Sequence, residues 1–281
     1  RVFRTRYSKA YTTQTMDGTK TAALLVALLA LAATANAQTV SAGTGRSEYT
    51  AGTLVTTALA LSTGADTVKT ALGVESPGWL TTVKPAYDSN LKATADLNRT
   101  GDPVFNAFKA AYGSATFITD YFDKVVAGTE NGFTNPAARK EMAEKTAVDM
   151  VTMIAVLGKA HEAVADPTQS TREASWDQAA VYYIGAPSKQ SATTYGRADK
   201  RGADYGTLGA SGESAVNAAI IAAFNAGKAS TQVAMQTQYD IIVKQYKILY
   251  AQATLRYANL IDEDLATNAA SLAENVGEGQ A

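Results

Sequence analysis

Apolar residues in this chain recur at the three- and four-residue spacing of amphipathic helices, and this periodicity constrains the fold more than any other feature. No segment alternates polar and apolar residues over a length that would predict a sheet. The sequence therefore predicts an all-α fold, a multi-helix, bundle-like single domain with long irregular loops. The two longest stripes lie in 136–165 (Met150, Met153, Ile154, Leu157, Val164) and in 231–262 (Ile242, Tyr246, Leu249, Ala253, Tyr257, Leu260).

Capping and breaking residues predict where the helices begin and end. Asn135 and Pro136 suit the start of the first long helix, and Asp166-Pro167 ends it. Ser175 and Gln178 have the spacing of a capping box, which predicts a helix that starts there and ends at Gly185. Shorter helices are predicted at Ala51–Leu61, Ala65–Leu72, Val104–Tyr112, Thr116–Val126 and Ser211–Gly227, the last with Gly227 as a left-handed terminator.

Met16 opens a segment typical of a secretory signal peptide: Lys20, an apolar run at 22–33, and the small-x-small site Ala35-Asn36-Ala37. An apolar run of this length is shorter than the about 20 residues that span a bilayer. We therefore expect cleavage after Ala37. The predicted organisation is a non-native upstream extension at 1–15, a signal peptide at 16–37, an Ala/Thr-rich segment packed on the main domain at 38–103, and a helical domain at 104–281.

Charge and cysteine content narrow the possible partners. Residues 1–37, which cleavage would remove, carry five basic residues and one aspartate. The remaining chain has 20 basic and 25 acidic residues and a net charge of about −5. An acidic secreted chain is a poor partner for nucleic acid, so no nucleic-acid binding is expected. The absence of cysteine means that no disulfide holds the fold, and it excludes thiolate metal sites and cysteine nucleophiles.

Most catalytic motifs are absent from the sequence. His161 is the only histidine, which excludes histidine-cluster zinc sites. No Gly-x-Ser-x-Gly motif is present, and the glycines between Gly202 and Gly212 match no phosphate-binding fingerprint. We therefore expect a protein that is not an enzyme.

Metal binding through oxygen ligands remains possible after these exclusions. Tyrosines outnumber phenylalanines by 14 to 7, and several lie beside carboxylates, most densely in "YGRADKRGADYGT" at 195–207, which is predicted to be a loop between two helices. Hard cations prefer oxygen donors, and a phenolate forms below its usual pKa of about 10 only beside a strong cation. The alternative for each tyrosine is a core aromatic with a hydrogen-bonded hydroxyl.

Three further residues are secondary candidates. His161 follows Leu157 by four residues and shares its buried stripe, so it is either a core-edge histidine or a ligand. Glu141 and Glu144 lie on one helix face, a shape suited to iron, although helix N-termini favour acidic residues in any case.

An ordered series of segments carries a resemblance to a known family. "YGSATFITDYF", "AARKEMAEK", "SWDQAAVYYIG", "YGRADKRGADYGT", "SAVNAAIIAAFNAGK" and "ATLRYANL" follow one another between residue 104 and the C-terminus. In this order they resemble the algal iron-assimilation family, the low-iron-inducible periplasmic proteins related to phytotransferrins. The chain departs from that pattern at Gly202 and Leu208, where relatives usually carry cysteines, and at 158–161, where relatives have an Arg/Glu-rich stretch.

The resemblance implies a secreted, periplasmic or cell-surface protein that binds ferric iron, Fe(III), for iron acquisition together with cell-surface uptake machinery. Arg197 or Arg201 would hold carbonate as a synergistic anion, because a guanidinium suits a planar carboxylate-like ion. "LAENVGEGQA" resembles the lead-in to a further apolar segment, so C-terminal truncation is expected, and membrane contact only through a missing anchor. For the iron-binding hypothesis, the candidate metal ligands are Asp177, Tyr183, Tyr195, Asp199 and Tyr205.

The alternative is an extracellular structural or cell-surface matrix protein without a metal site.

Overall fold

A computed structural model describes residues 37–52, 56–73, 78–130, 133–267 and 269–281. The predicted upstream extension and the predicted signal peptide, apart from Ala37, lie outside these residues. Helices make up most of the described chain, which confirms the predicted all-α, multi-helix fold.

A short β-hairpin precedes the helices and was not predicted. Strand β1 (Gln38–Ser41) pairs antiparallel with β2 (Glu48–Ala51), and Val40 lies opposite the fully buried Tyr49. The helix predicted from Ala51 is therefore wrong at its start, since Ala51 ends a strand. Four-residue strands are too short for a period-2 pattern to stand out from the surrounding Ala- and Thr-rich sequence.

Five helices follow the hairpin: α1 (Thr56–Leu72), α2 (Trp79–Asn90), α3 (Lys92–Ala95), α4 (Pro103–Tyr112) and α5 (Phe117–Ala127). The prediction for α4 is confirmed, and the Asp102 carboxylate caps it by accepting from the Val104 amide at 2.8 Å. The two short helices predicted at Ala51–Leu61 and Ala65–Leu72 are wrong as separate elements, because α1 runs through the intervening Gly64. A Cβ at Gly64 would lie 3.3 Å from the backbone oxygen of Asn90, so this glycine permits close packing of α1 on the end of α2.

The long helix predicted at 136–165 is present but contains a π-helical interruption. It consists of α6 (Pro136–Glu144), a π-helical segment (Lys145–Met150) and α7 (Val151–Ala165). The predicted cap is confirmed, because the Asn135 side chain accepts from the Ala137 amide at 2.8 Å. A π-helical turn inserts one residue into the helical repeat, which a simple apolar stripe does not reveal.

The capping box predicted at Ser175–Gln178 is wrong. Helix α8 (Gln169–Ile184) begins earlier, and the Ser175 hydroxyl lies mid-helix, 3.3 Å from the Glu162 carboxylate. The predicted end is confirmed, with Gly185 as the C-terminal cap. A 3₁₀ turn (Pro187–Ala192) then leads into the next helix.

The segment predicted as a polar loop is a helix, α9 (Thr194–Asp204). The Thr193 hydroxyl caps it by accepting from the Gly196 amide at 3.2 Å. The two glycines inside α9 serve packing and not turning: a Cβ at Gly196 would lie 1.9 Å from the Gln190 carbonyl oxygen, and one at Gly202 would lie 2.6 Å from the Ser214 Cβ. Reading these glycines as loop residues was therefore wrong.

The last helices are α10 (Ala215–Gly227), α11 (Gln232–Thr267) and α12 (Leu272–Gln280). Gly227 is the last residue of α10 and is not left-handed, contrary to prediction. Its Cβ would lie 2.3 Å from the Trp176 ring, so the absence of a side chain lets the indole pack there. Within the described residues, no helix combines the length and apolarity required to cross a membrane.

Residues 37–281 form one compact unit with a continuous apolar core. Segment 38–103 contributes fully buried residues to this core, among them Tyr49, Val68, Trp79 and Tyr87. Helix α9 contacts α10 and the 3₁₀ turn as well as α11. The polar residues of α9 therefore face two different surroundings.

Candidate functional site

Two faces of α9 carry the polar residues that the sequence singles out. Tyr195 and Asp199, four residues apart, lie on one face and contact the hairpin turn and α10. Arg197, Lys200 and Arg201 lie on the other face, toward the π-helical segment and α11. We call the first set the hairpin face and the second the cavity face.

The hairpin face contains a compact network, here named the Tyr195 cluster: Arg46, Tyr195, Asp199, Glu213 and Asn217. The Tyr195 hydroxyl donates to Glu213 Oε1 at 2.6 Å. Arg46 Nη1 donates both to Asp199 Oδ2 and, at 3.5 Å, to Tyr195 Oη. Asp199 Oδ1 accepts from Asn217 Nδ2 at 2.7 Å. The Asp199 carboxylate and the Tyr195 phenol thus meet at a single guanidinium group, and the second carboxylate, Glu213, bonds to the same phenol.

Tyr183 joins this network from α8. Its fully buried hydroxyl donates to Asn217 Oδ1, and its ring packs edge-to-face against Tyr195 with 5.9 Å between centroids. Burial raises the pKa of the Tyr183 hydroxyl well above its usual value. Burial and the bond to Glu213 likewise raise the pKa of Tyr195, which Arg46 only partly opposes. Both phenols are therefore neutral at pH 7 unless a strong cation binds beside them.

The other two predicted ligands bond elsewhere. Asp177 is buried on α8, where it accepts from the Tyr49 hydroxyl and, at 2.7 Å, from the Gly52 amide, so it holds the hairpin against the helix. The partly exposed Tyr205 donates to the Gln252 carbonyl of α11 at 2.8 Å. The five predicted ligands therefore divide, and only Tyr183, Tyr195 and Asp199 come together.

The predicted anion-binding arginines lie on the cavity face. Arg197 pairs with Asp149 at 2.8 Å through Nε and with Glu144 through Nη2. Arg201 Nε lies 3.2 Å from Asp204 Oδ2. Neither arginine forms a hydrogen bond with the described residues of the Tyr195 cluster. The cation within that cluster is Arg46, which was not predicted from the sequence.

The secondary candidates occupy three separate environments. The half-buried His161 packs edge-to-face on Tyr239 with 5.9 Å between ring centroids. Burial raises the pKa of Glu141 to about 7, with Lys145 opposing the rise. Burial would raise the pKa of Glu144 as well, but Arg197, Lys145 and Lys69 lower it to about 2. Glu144 is thus a charged partner of Arg197, and Glu141 is the weaker acid of the pair.

The donor set of the Tyr195 cluster fits a hard cation. Among the described residues, no group of three or more His, Asp or Glu side chains could hold a metal ion. Tyrosine oxygen extends the donor set here, since Tyr195, Asp199 and Glu213 supply a phenol and two carboxylates, which ferric iron prefers. The side chain that already neutralises this set is Arg46, so a metal ion would have to displace it.

Glu213 and Arg46 carried no sequence signal of their own. Arg46 lies 153 residues before Asp199, in a short turn between two strands that were not predicted. Glu213 directly precedes the Ser214 cap of α10, where its chemistry is not apparent from the sequence. Asn217 falls in "SAVNAAIIAAFNAGK", one of the segments that carry the family resemblance, but nothing in that pattern predicts its role in the network.

Comparison with protein-family models, with curated proteins and with solved structures finds no match to this chain. A function for this chain is therefore inferred from its side-chain geometry and from its resemblance to the algal iron-assimilation family.

Proposed function

We propose that this protein is a secreted or cell-surface, non-enzymatic protein that binds ferric iron as cargo at the Tyr195 cluster. The observation that carries the proposal is the position of Arg46 Nη1, which contacts Tyr195 Oη and Asp199 Oδ2 together. Tyr195 Oη in turn contacts Glu213 Oε1 at 2.6 Å. A cation thus already lies between two oxygen donors of the hard type that iron requires, with a third, Glu213, bonded to one of them.

Binding would exchange one cation for another. Ferric iron would replace the guanidinium beside Tyr195 and Asp199, and the Tyr195 phenol would release its proton, because a coordinating oxygen must be deprotonated. The displaced Arg46 guanidinium suits a planar carbonate as synergistic anion. Arg46 takes this proposed role in place of Arg197 and Arg201, which lie on the other face of α9. Iron affinity should accordingly fall as pH falls.

The cellular setting of the proposal comes from the sequence. The predicted signal peptide favours export, and the resemblance to algal iron-assimilation proteins supports a role in iron acquisition with cell-surface uptake machinery. Carbonate and uptake machinery are therefore the proposed partners.

A second candidate function is structural, and a specific observation favours it. Each carboxylate oxygen in the cluster already accepts a protein hydrogen bond: Asp199 from Arg46 and Asn217, and Glu213 from Tyr195 and Ser47, whose hydroxyl lies 2.7 Å from Oε2. Such a network satisfies its own polar groups without a metal. Under this proposal the protein is an extracellular structural or matrix protein, and the cluster holds the hairpin on α9 and α10.

Titration of the full chain with ferric citrate in bicarbonate buffer separates the two candidates. Iron binding predicts a visible phenolate-to-iron charge-transfer band that saturates at one iron per chain. Tyr195→Phe should abolish the band, because it removes the only cluster phenol in contact with Glu213 and Arg46. Tyr205→Phe is the matched control, since that tyrosine bonds to Gln252 and should leave the band unchanged. A wild-type chain that shows no band at stoichiometric iron is the result that the structural candidate requires.

A further inference from the structure

A cavity of about 430 Å³ lies on the cavity face of α9, within the size range of small-molecule sites. It is bounded by α4, the π-helical segment, α7, α9 and α11, together with the end of α12. The π-helical segment contributes Lys145, Asp149 and Met150, and interruptions of this kind often occur at functional sites. Much of the wall is apolar, formed by Phe108, Met150, Met153, Leu157, Val243 and Leu249.

Positive charge is in excess around this apolar volume. Five basic side chains line it (Lys145, Arg197, Lys200, Arg201 and Lys247) against two acidic ones (Asp149 and Glu278). Both acids are already paired, Asp149 with Arg197 at 2.8 Å and Glu278 with Lys145 at 2.7 Å. Across the described residues, neither Lys200 nor Lys247 has an acidic partner within 4.0 Å. These two lysines and Arg201, whose acidic partner Asp204 lies outside the cavity lining, are the three cations considered for a ligand.

Arg201 is the most deeply placed of these three cations. Arg201 is only 4% exposed, with the guanidinium above the Tyr257 ring at 5.4 Å from the centroid. Nε pairs with Asp204 at 3.2 Å, but the buried Nη1 has no hydrogen-bond partner among the described residues. Asp204 is shared between Arg201 and Arg256, at 3.2 and 3.1 Å, so the positive charge of Arg201 is only partly neutralised. A buried charge without full compensation is costly, and an anionic group in the cavity that Arg201 lines would reduce that cost.

Neighbouring charges reinforce the same conclusion at Lys200. Burial lowers the pKa of its ammonium, Glu278 opposes this, and Lys145, Arg201 and Arg197 lower it further. Lys200 therefore lies in a region where positive charges repel one another. A bound anion would relieve that repulsion, which makes the site electrostatically complementary to a negative group.

We infer that this cavity binds an ionised carboxylic acid with an apolar body, of the medium-chain fatty acid class. The carboxylate lies against Arg201 and Lys200, where a planar anion matches the guanidinium. The hydrocarbon chain lies among Met153, Leu157 and Val243, and leaves water for an apolar wall. This site is on the opposite face of α9 from the Tyr195 cluster and does not depend on iron binding.

Isothermal titration calorimetry of the full chain with decanoate tests the inference. Decanoate should bind, and decanol, which has the same chain without the charge, should bind at least about tenfold more weakly, the effect of one charge-assisted hydrogen bond. Lys200→Gln and Arg201→Met should each weaken decanoate binding by about tenfold or more. Lys244→Gln is the matched control, because Lys244 lies on α11 outside the cavity lining and should not change the affinity.

A steric variant tests the location independently of charge. Ala253→Phe places a ring at a lining position of α11 and should abolish binding, whereas Ala251→Phe on the exposed side of the same helix should not. Far-ultraviolet circular dichroism establishes that each variant is folded, and the exposed Lys200 provides a test if Arg201→Met does not fold. Equal binding of decanoate and decanol, unchanged affinity in Lys200→Gln, or no binding of decanoate below its critical micelle concentration would overturn the inference.

Discussion

The two faces of α9 differ in how completely their charges are paired. On the hairpin face, Asp199 and Glu213 are saturated with hydrogen bonds from Arg46, Tyr195 and Asn217. On the cavity face, cations exceed anions, and one buried guanidinium nitrogen has no partner in the part of the chain that the structure describes. A paired network contributes to folding because its loss leaves buried groups unsatisfied. An unpaired excess of positive charge beside an apolar cavity contributes little to folding and is better explained by binding of an anionic ligand.

Helical spacing produces this division within eleven residues. Tyr195 and Asp199 are four apart and share one side, whereas Arg197 and Arg201 are four apart on another. In a loop the same residues would have no fixed relation to one another. The comparison therefore predicts large losses of stability from substitutions on the hairpin face and small ones from those on the cavity face.

The largest effect is expected for Asn217→Leu. Asn217 is fully buried, accepts from the Tyr183 hydroxyl and donates to Asp199 Oδ1 at 2.7 Å. Leucine has a similar size but removes these two bonds and a third, from Asn217 Nδ2 to the Tyr195 carbonyl at 2.9 Å. The change leaves a buried phenol unsatisfied and a carboxylate with one donor fewer. The free energy of unfolding should fall by about 2–4 kcal/mol, as measured by urea denaturation at pH 7.

Asn259→Leu is the matched control for that measurement. Asn259 is exposed on α11 and bonds only to Glu263, one turn further along, at 2.7 Å. Its replacement should change stability by no more than about 0.5 kcal/mol. Similar losses for the two variants would mean that the hairpin face is not a paired structural network.

Helices with strong end signals were predictable from the sequence. Asn135 caps α6 as predicted, and Asp102 caps α4 in the same way, since each cap needs only residues two or three positions away. The buried stripe of α11 was also predictable, because burial of one helical side repeats along the chain. For α7 the prediction of a single buried stripe is wrong, since every residue from 151 to 158 is buried. Local chemistry and periodic burial are therefore the parts of this fold that the sequence records.

Features that depend on distant contacts were not predictable. Gly196 and Gly202 resemble loop residues until Gln190 and Ser214 are placed against them. Arg46 meets Asp199 only after the hairpin has folded onto α9. The sequence therefore indicated Tyr195 and Asp199 as site residues but gave no sign of the cation between them, or of the cavity on the other side of the helix.

An intermediate effect is expected for Glu144, which holds Arg197 in place on the cavity face. The pKa of Glu144 is about 2 in the folded protein, because Arg197, Lys145 and Lys69 outweigh the effect of burial. A lowered carboxyl pKa adds stability above the unfolded pKa of about 4.3, and that stability is lost as pH falls toward 2. Glu144→Gln should therefore lose about 2 kcal/mol of unfolding free energy at pH 7 and almost nothing near pH 2.

Glu141→Gln is the matched comparison and should act in the opposite direction. Burial raises the pKa of Glu141 to about 7, so the folded state loses stability as pH rises from about 4.3 to 7. Its amide variant should be more stable than the wild type at pH 8 and nearly unchanged at pH 4. Urea denaturation of both variants across pH 3 to 8, roughly the titration range of carboxyl groups, should give two curves of opposite slope. Curves of the same sign would contradict the assignment.

The smallest effect is expected for Arg201→Met, and it is the most direct test of the comparison. Methionine preserves most of the length and the apolar contact with Tyr257, and it removes a buried charge whose Nη1 has no hydrogen-bond partner within the described ranges. Asp204 keeps Arg256 at 3.1 Å, so no carboxylate is left without a cation. Replacing an incompletely satisfied buried ion by an apolar group is often neutral, and the unfolding free energy should change by less than about 1 kcal/mol. A loss as large as that of Asn217→Leu would show that Arg201 stabilises the fold, and the two faces of α9 would then serve the same purpose.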